Sequence, residues 1–345
     1  MEQLNPVEKD IIRIVSSYLQ KNPDAFGGLG QQRFTSITSI QPTAPTMMPG
    51  GVGWKQMPFI GGVLAPAVPS GRDMRLVWAE YGDYALVVDD DTVAFNGDVK
   101  PADASMTLHT ESVKAHGRSV TIGNDEARVA AASGINLVAI KSGIPKRLVD
   151  LRREVLTATF FQTLSNYFDA THYETLAGTD QWSHKDSDPI TKLRSYSRVV
   201  RAACGAKPNY LGLGYTAAEG LCWNESILAL LKTANTLGNG IPVTLQVVAT
   251  LLNTNVVAGE AIYKDQPGGS SIDVWGDNAH LVYVGGAGLE DPKFAMTAES
   301  PDYPKVVPMT SDKGLEGGQK LNYGDVYKTY SCWKTAGAAL FDCTA

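Results

Sequence analysis

The spacing of hydrophobic residues changes several times along this 345-residue chain, and each spacing predicts a different element. Near the start, apolar residues fall on one helical face: Val7, Ile11, Ile12, Val15, Tyr18 and Leu19. Asn5 can cap this helix, Pro6 suits its first position, and Pro23 ends it. A helix this short is marginal alone in water, so we expect its apolar face to need a partner.

The stretch from Gly27 to Ser70 has no regular spacing and is rich in glycine and proline. A loop of this length is uncommon inside a compact domain. It is also too apolar for a solvated linker, because Met47, Met48, Trp54 and Phe59 favour burial. We therefore expect an extended arm that lies on other surfaces.

Residues Arg75 to Thr121 are rich in strand-forming side chains, in runs such as Leu76–Trp78, Tyr84–Val88 and Thr92–Phe95. Asn96-Gly97 is a strong signal for a hairpin turn. Polar residues interrupt every run, which leaves little apolar material for a buried sheet. This composition favours a β-extension that projects from the body of the protein.

A long helix is predicted from Lys146 to Phe168, where an apolar stripe recurs mostly at spacings of three and four. It would span roughly 35 Å and could serve as the spine of a flat domain. A second helix is predicted from Asp188-Pro189, which supplies a cap and a first-position proline, to a left-handed stop at Gly205.

The remainder mixes short strands with short helices. Strands are predicted at Asn209–Gly214, Val256–Ala258 and His280–Val284, and helices within Ala217–Leu237 and at Thr244–Leu252. The segment Val326–Phe341 is β-rich and aromatic. This mixture indicates an α+β layered domain.

Composition narrows the classes of function. Hydrophobic residues make up 43% and charged residues 19%, enough for an ordinary core. The formal net charge is −6 and no basic run is present, which argues against a sequence-reading nucleic-acid binder or a strong grip on DNA. Four irregularly spaced cysteines favour neither a disulfide scaffold nor a zinc module. With no signal peptide or long apolar run, we expect assembly in a cytoplasm and no membrane association.

Few residues suggest chemistry. Gly212 to Ala217 matches the weak GxGxxA pattern of dinucleotide sites, but no strand with an acidic end follows, so we interpret it as a tight strand-to-helix turn. Asp89-Asp90-Asp91 lacks the spacing of a calcium loop. The histidines form no ligand pair at helical spacing: His109, His116, His172, His184 and His280. We predict no catalytic residue, no cofactor and no metal site.

The segment Tyr173–Leu211 resembles a stretch of the major capsid proteins of tailed bacteriophages. The similarity lies in Thr175-Leu176-Ala177-Gly178 before Trp182, in Ser187-Asp188-Pro189-Ile190, and in Pro208-Asn209 before a strand. Neighbouring features resemble the family in the same order: Arg118–Arg128, Arg152-Arg153-Glu154, Val256–Ala261, and Val274-Trp275-Gly276 followed by Leu281–Val284.

The resemblance implies the HK97-like capsid fold, an α+β fold with an N-terminal arm, an extended β-loop, a peripheral domain on a spine helix, and an axial domain. Transferred to this chain, the arm occupies 1–65, the β-loop 66–124, the peripheral domain 125–205, the axial domain 206–320 and a C-terminal strand segment 321–345.

The function implied is that of a major capsid protein whose pentamers and hexamers form an icosahedral shell around double-stranded DNA in the virion. Scaffold, portal and cement proteins are its expected partners besides itself. Two alternatives stay open at this point. One is an encapsulin-like nanocompartment shell, and the other is a soluble α/β enzyme that uses the GxGxxA turn to bind a nucleotide.

Overall fold

The structure is a computed structural model, which describes residues 58–71, 74–81, 88, 92–93, 95–99, 106–132, 134, 136–233, 243–286, 291, 293–312 and 316–344. The predicted N-terminal helix, most of the predicted arm, the run at 84–87 and the acidic cluster at 89–91 lie outside these residues.

The described residues form seven α-helices and fourteen strands, with three short 3-10 turns between them. The helices are α1 Gly61–Leu64, α2 Asn124–Ala132, α3 Leu137–Phe161, α4 Pro189–Cys204, α5 Tyr215–Trp223, α6 Glu225–Thr233 and α7 Leu245–Leu252. The strands are β1 Ala67–Pro69, β2 Arg75–Tyr81, β3 Met106–Ser112, β4 Lys114–Gly123, β5 Tyr173–Thr175, β6 Tyr210–Gly214, β7 Asn255–Gly259, β8 Ile262–Tyr263, β9 Ile272–Asp273, β10 Ala279–Val282, β11 Ala295–Glu299, β12 Lys305–Ser311, β13 Gly318–Ser331 and β14 Gly337–Phe341.

Contacts divide the chain into two units, and the first contains Ala115–Arg152 and Asp302–Val326. In it β12 pairs antiparallel with the first part of β13, which also pairs with β4. Its small core joins Ile122, Ala127 and Leu321. Ion pairs lie on its surface, among them Arg128 with Glu316 at 3.0 Å.

The second unit contains Met57–Lys114, Arg153–Pro301 and Tyr327–Ala345. Its centre is a five-stranded sheet with the order β5-β14-β10-β6-β7. Strands β6 and β7 run parallel, as do β14 and β5, while β10 is antiparallel to both of its neighbours. All five residues of β14 are buried, so this sheet is covered on both faces.

Side chains that alternate along these strands build two different layers. One face carries aliphatic residues that pack with helices α4 to α7 around one core: Leu211, Leu213, Ala279, Leu281, Ala338 and Leu340. The opposite face meets an aromatic cluster in which Phe161, Trp275, His280 and Phe294 are ring neighbours. The sheet therefore separates a helical layer from an aromatic layer.

The helix α4 forms where local chemistry predicts it. Asp188 caps the first turn by accepting a hydrogen bond from the backbone N–H of Thr191 at 3.1 Å, and Pro189 occupies the first position. Gly205 ends the helix with a φ of 76°. The predicted start and stop of this helix are confirmed.

The long helix α3 exists, but both of its predicted ends are wrong. It begins at Leu137 rather than Lys146, so Pro145 lies inside it. It ends at Phe161 rather than Phe168, because the side chains of Asn166 and Tyr167 donate to the carbonyl groups of Phe160 and Phe161. The bond from Tyr167 pairs a carbonyl group at the helix end, and the bond from Asn166 adds to the one that the carbonyl of Phe160 already accepts from the N–H of Thr163.

Of the predicted β-extension the structure shows the antiparallel pair β2 and β3, whereas the described residues of the run at Thr92–Phe95 (92, 93 and 95) are not in a strand. Asn96 has a φ of 77°, the left-handed conformation that an Asn-Gly turn requires. Strands β1, β11 and β12 were not predicted. In the second unit β1 runs parallel to β11, which pairs antiparallel with the last part of β13.

Candidate assembly surfaces

The outer face of the β2–β3 hairpin carries apolar side chains that the second unit does not cover. Because Ala79 pairs with Leu108 and Tyr81 with Met106, residues 77, 106 and 108 point to the same side of the ribbon. Val77 is 55% exposed, Met106 56% and Leu108 67%. An apolar face of this kind is a candidate contact surface for another molecule.

The inner face of the same hairpin is well packed. Trp78 stacks on His109 at 5.3 Å between ring centroids and lies 4.6 Å from the ring of Tyr330. Glu111 forms an ion pair with Lys328. The hairpin is therefore anchored on one side, which leaves its outer face positioned for a partner.

A buried carboxylate, Glu154, holds the segment that leads into the body of the second unit. Its Oε1 accepts hydrogen bonds from the backbone N–H of Ile60 at 2.9 Å, of Gly61 at 3.0 Å, and from Trp275 Nε1 at 2.8 Å. A side chain at position 61 would lie 2.6 Å from Glu154 Oε2, so only glycine permits this approach. Glu154 is 3% exposed, and all three contacts donate to it.

The same segment is held further along by hydroxyl groups. Thr297 donates to the carbonyl of Ala65 at 3.3 Å, and its hydroxyl lies 3.0 Å from that of Thr329, which in turn lies 3.1 Å from that of Thr157. Strand β1 then pairs with β11. We call residues 60–69, Glu154 and these three threonines the anchor seam.

Two groups beside the aromatic layer have shifted pKa values. Burial raises the pKa of Glu154, while its hydrogen bonds to Trp275, Gly61 and Ile60 and the charge of Arg153 oppose that rise. Burial lowers the pKa of His280 to about 3. His280 Nδ1 lies 3.0 Å from the hydroxyl of Tyr167, so the neutral imidazole is the form that fits this site.

The residues that the sequence suggested as a nucleotide site take part in the packing of the protein. The GxGxxA match is a strand-to-helix turn, since β6 ends at Gly214 and α5 begins at the next residue. A Cβ at Gly214 would lie 1.9 Å from the carbonyl oxygen of Gly276, and one at Gly212 would lie 2.4 Å from Leu64. These glycines permit close packing of the protein against itself, which confirms the interpretation as a tight turn.

The histidines and cysteines are dispersed. His172 Nδ1 donates to Asp169 Oδ1 at 2.9 Å, and His280 belongs to the aromatic layer. Within the described ranges, no group of three or more His, Cys, Asp or Glu side chains is arranged to hold a metal ion. Across the same ranges, no helix combines the length and apolar character needed to cross a lipid bilayer.

The residues that carry the family resemblance have positions in the packing of the second unit. Trp182 is 1% exposed in the helical-layer core, and Trp275 donates to Glu154. The side-chain amide of Asn209 donates to the carbonyl of Val284 and accepts from its N–H, both at 2.8 Å. Arg153 pairs with Glu299 and lies over the ring of Tyr327. The anchor seam had no signal in the sequence, because its contacts join residues far apart along the chain and two of the donors to Glu154 are backbone groups.

Comparison with known proteins identifies two relatives. The chain is 26% identical over 196 residues to the major capsid protein of Burkholderia phage BcepMu, a match that covers 55% of this chain and 61% of that protein. It is 24% identical over 295 residues to the major capsid protein of Pseudomonas phage JBD67, covering 83% and 92%. The chain thus spans about three fifths of the first relative's length. No protein-family model matches it.

Solved structures share the fold. A phage-related protein from Bordetella bronchiseptica RB50 superposes with a TM-score of 0.64 at 20% identity, covering 84% of this chain and 94% of the other. The capsid structure of the cyanophage P-SCSP1u gives a TM-score of 0.56 at 10% identity, covering 85% and 91%. The predicted α+β, HK97-like capsid fold is therefore confirmed.

Proposed function

We propose that this chain is the major capsid protein of a tailed bacteriophage and that its copies assemble into the icosahedral shell enclosing double-stranded DNA. The similarity to two phage major capsid proteins carries this proposal, since a shared fold alone does not fix a function. The capsid fold over more than four fifths of the chain supports it.

The hairpin supplies a physical reason for assembly. Its outer face exposes Val77, Met106 and Leu108 together, and a cluster of exposed apolar side chains favours contact with another molecule. In a shell, each copy contacts its neighbours through different patches, so such a face can be covered by a patch located elsewhere on the next copy. We propose that the hairpin contacts a neighbouring subunit in this way.

The role is structural, and no catalytic residue, cofactor or metal is required for it. Besides further copies of itself, the protein meets scaffold and portal proteins, and a cement protein where the shell has one. The division into arm (1–65), β-loop (66–124), peripheral domain (125–205), axial domain (206–320) and C-terminal strand segment (321–345) is part of the same proposal.

Electron microscopy of the purified full chain tests the proposal directly. We expect closed shells of uniform diameter, which sediment far ahead of the 37.0 kDa chain. A homogeneous monomer at high concentration, with its partner proteins present, would contradict it. Shells that copurify with one enzyme as cargo instead of enclosing DNA would favour the nanocompartment alternative.

A paired variant tests the hairpin within this proposal. Val77→Ser with Leu108→Ser removes apolar contact area from the outer face, and we expect folded subunits that fail to form shells. Thr110→Ser with Ser112→Thr changes the same exposed face without removing its large apolar side chains, so this control should assemble normally. If the first variant formed normal shells, the outer face of the hairpin would not be an assembly contact.

A further inference from the structure

Much of the helical layer of the second unit lies in two stretches of sequence that contain no acidic residue, with Glu219 and Glu225 between them. The chain has 36 aspartate and glutamate residues, yet none occurs between Pro189 and Ala218 or between Ser226 and Gly259. Basic residues do occur in these two stretches: Lys192, Arg194, Arg198, Arg201, Lys207 and Lys232. A chain with net charge −6 therefore contains a locally positive layer.

Three of these arginines lie on one side of α4. Residues 194, 198 and 201 follow the spacing i, i+4, i+7, and all three are exposed, while Leu193 and Val200 are buried against the core. Lys192 is different, because it is neutralised by Glu174 at 2.7 Å and Asp180 at 3.1 Å. We call Arg194, Arg198, Arg201 and the exposed Lys207 the basic face.

Two members of the basic face also stabilise the end of α7. Arg194 donates to the carbonyl of Leu251 at 3.1 Å, and Lys207 donates to the carbonyls of Leu252 at 3.0 Å and Asn253 at 3.1 Å. Cations at a helix C-terminus are favourable. Arg198 and Arg201 form no ion pair with any acidic side chain in the described part of the chain.

A polar cleft of about 410 Å³ adjoins Lys207. Its walls bear hydrogen-bonding side chains and no carboxylate: Lys207, Asn209, Gln246, Thr250, Asn253, Thr254 and Asn255. The hydroxyl groups of Thr250 and Thr254 already donate to backbone carbonyls, as does the amide of Asn209. The amides of Gln246, Asn253 and Asn255 can donate to a phosphate oxygen, and an acid-free wall does not repel one. The cleft and the arginines thus favour the same kind of ligand by separate observations.

We propose that the basic face contacts the phosphate backbone of the enclosed double-stranded DNA and is therefore turned toward the interior of the shell. This inference rests on the proposed function. Arginine matches phosphate geometry with two parallel N–H groups, and such contacts carry no base sequence. Four cations on a chain of net negative charge give weak, salt-sensitive contact, which agrees with the expectation that the protein does not grip DNA strongly.

Shell assembly in the presence of a fluorescent duplex provides the test. The full chain is assembled with a 30-base-pair DNA, treated with nuclease, and the protected DNA per shell is measured at increasing salt. Arg198→Gln with Arg201→Gln leaves the two residues that cap α7 intact. We expect this variant to form shells and to retain at least about threefold less DNA than the unmodified protein at low salt, with a shallower salt dependence.

Lys114→Gln with Arg118→Gln is the charge-matched control, because both residues are exposed on β4 and the net charge changes equally. Its shells should retain DNA as the unmodified protein does. Equal losses in both variants, no loss in either, or DNA that nuclease still reaches would each overturn the proposal. The same assembly is repeated with a labelled polyglutamate in place of the duplex. If the shells retain the polyglutamate as well as they retain DNA, the proposal is overturned in favour of an acidic protein partner. Shell yield, measured in the same samples, tests the proposed function separately.

Discussion

The anchor seam and the outer face of the hairpin differ in which kind of group they bury. The seam buries a charged group, and the outer face exposes apolar ones. In the seam a carboxylate is buried, and three N–H groups hold it. On the hairpin Leu108 and Val77 remain exposed although they are apolar. A buried polar group is tolerated when its hydrogen bonds are satisfied, whereas a cluster of exposed apolar groups can gain free energy by contact with another molecule. The seam therefore stabilises the folded subunit, and the hairpin carries the association that we propose.

The largest effect on the subunit should come from Glu154→Ala. This change removes the carboxylate that accepts from Ile60, Gly61 and Trp275 and leaves these three buried donors without it. We expect the free energy of unfolding to fall by about 3 to 5 kcal/mol, as when one partner of a buried polar cluster is removed. Chemical denaturation monitored by tryptophan fluorescence measures this loss.

Arg152→Ala is the control for this prediction, because the exposed Arg152 lies two residues away on the same helix. It should change the free energy of unfolding by less than about 0.5 kcal/mol. If Glu154→Ala were equally mild, the seam would not hold the segment at 60–69, and the contrast with the hairpin would disappear.

A smaller loss of subunit stability should occur at acidic pH, because of the buried His280. Its pKa is lowered from 6.5 to about 3 in the folded protein, so below pH 6.5 the unfolded chain takes up a proton that the folded protein does not. The contribution of His280 to the free energy of unfolding is fully present above pH 6.5 and decreases as the pH falls toward 3. Between pH 8 and pH 5 we expect a loss of about 2 kcal/mol.

His280→Phe isolates this contribution, since phenylalanine suits the surrounding aromatic layer and does not titrate. Glu154, whose raised pKa acts in the opposite sense above its ordinary value of 4.5, is present in both proteins and cancels in the comparison. The variant should lose about 2 kcal/mol less than the unmodified protein over the same pH interval. Identical pH dependence would mean that the folded protein admits the charged imidazole.

The smallest effect on the subunit should come from the hairpin variant Val77→Ser with Leu108→Ser. Exposed substitutions of this kind change the free energy of unfolding by about 0.5 kcal/mol or less each. Thermal unfolding of the unassembled subunit, followed by circular dichroism, measures the change. A loss comparable with that of Glu154→Ala would show that the outer face already stabilises the isolated fold.

Local chemistry explains which elements could be predicted from the sequence. Asp188, Pro189 and Gly205 each act within one helical turn, so the bounds of α4 follow from neighbouring residues. Asn96 takes its left-handed conformation for an equally local reason. The resemblance around Trp182 and Asn209 pointed to the fold, and the structure shows those residues in the packing of the second unit.

The misplaced ends of α3 and the unpredicted strands have a different cause. The helix ends where Asn166 and Tyr167 return to bond its last carbonyl groups, an interaction that apolar spacing does not encode. Strand β1 forms because Thr297 and its strand lie alongside it, 230 residues further along the chain. The anchor seam could not be read from the sequence for the same reason, because Glu154 binds backbone groups more than 90 residues away.

The position of β14 also constrains how the protein is made. This strand lies between β10 and β5 in the central sheet, yet its residues are synthesised after those of the other four strands. Its partner Tyr173 leaves the ribosome long before Ala339 exists to pair with it. The two buried layers cannot close until translation has passed Phe341, so every shorter nascent chain lacks the strand that joins β10 to β5.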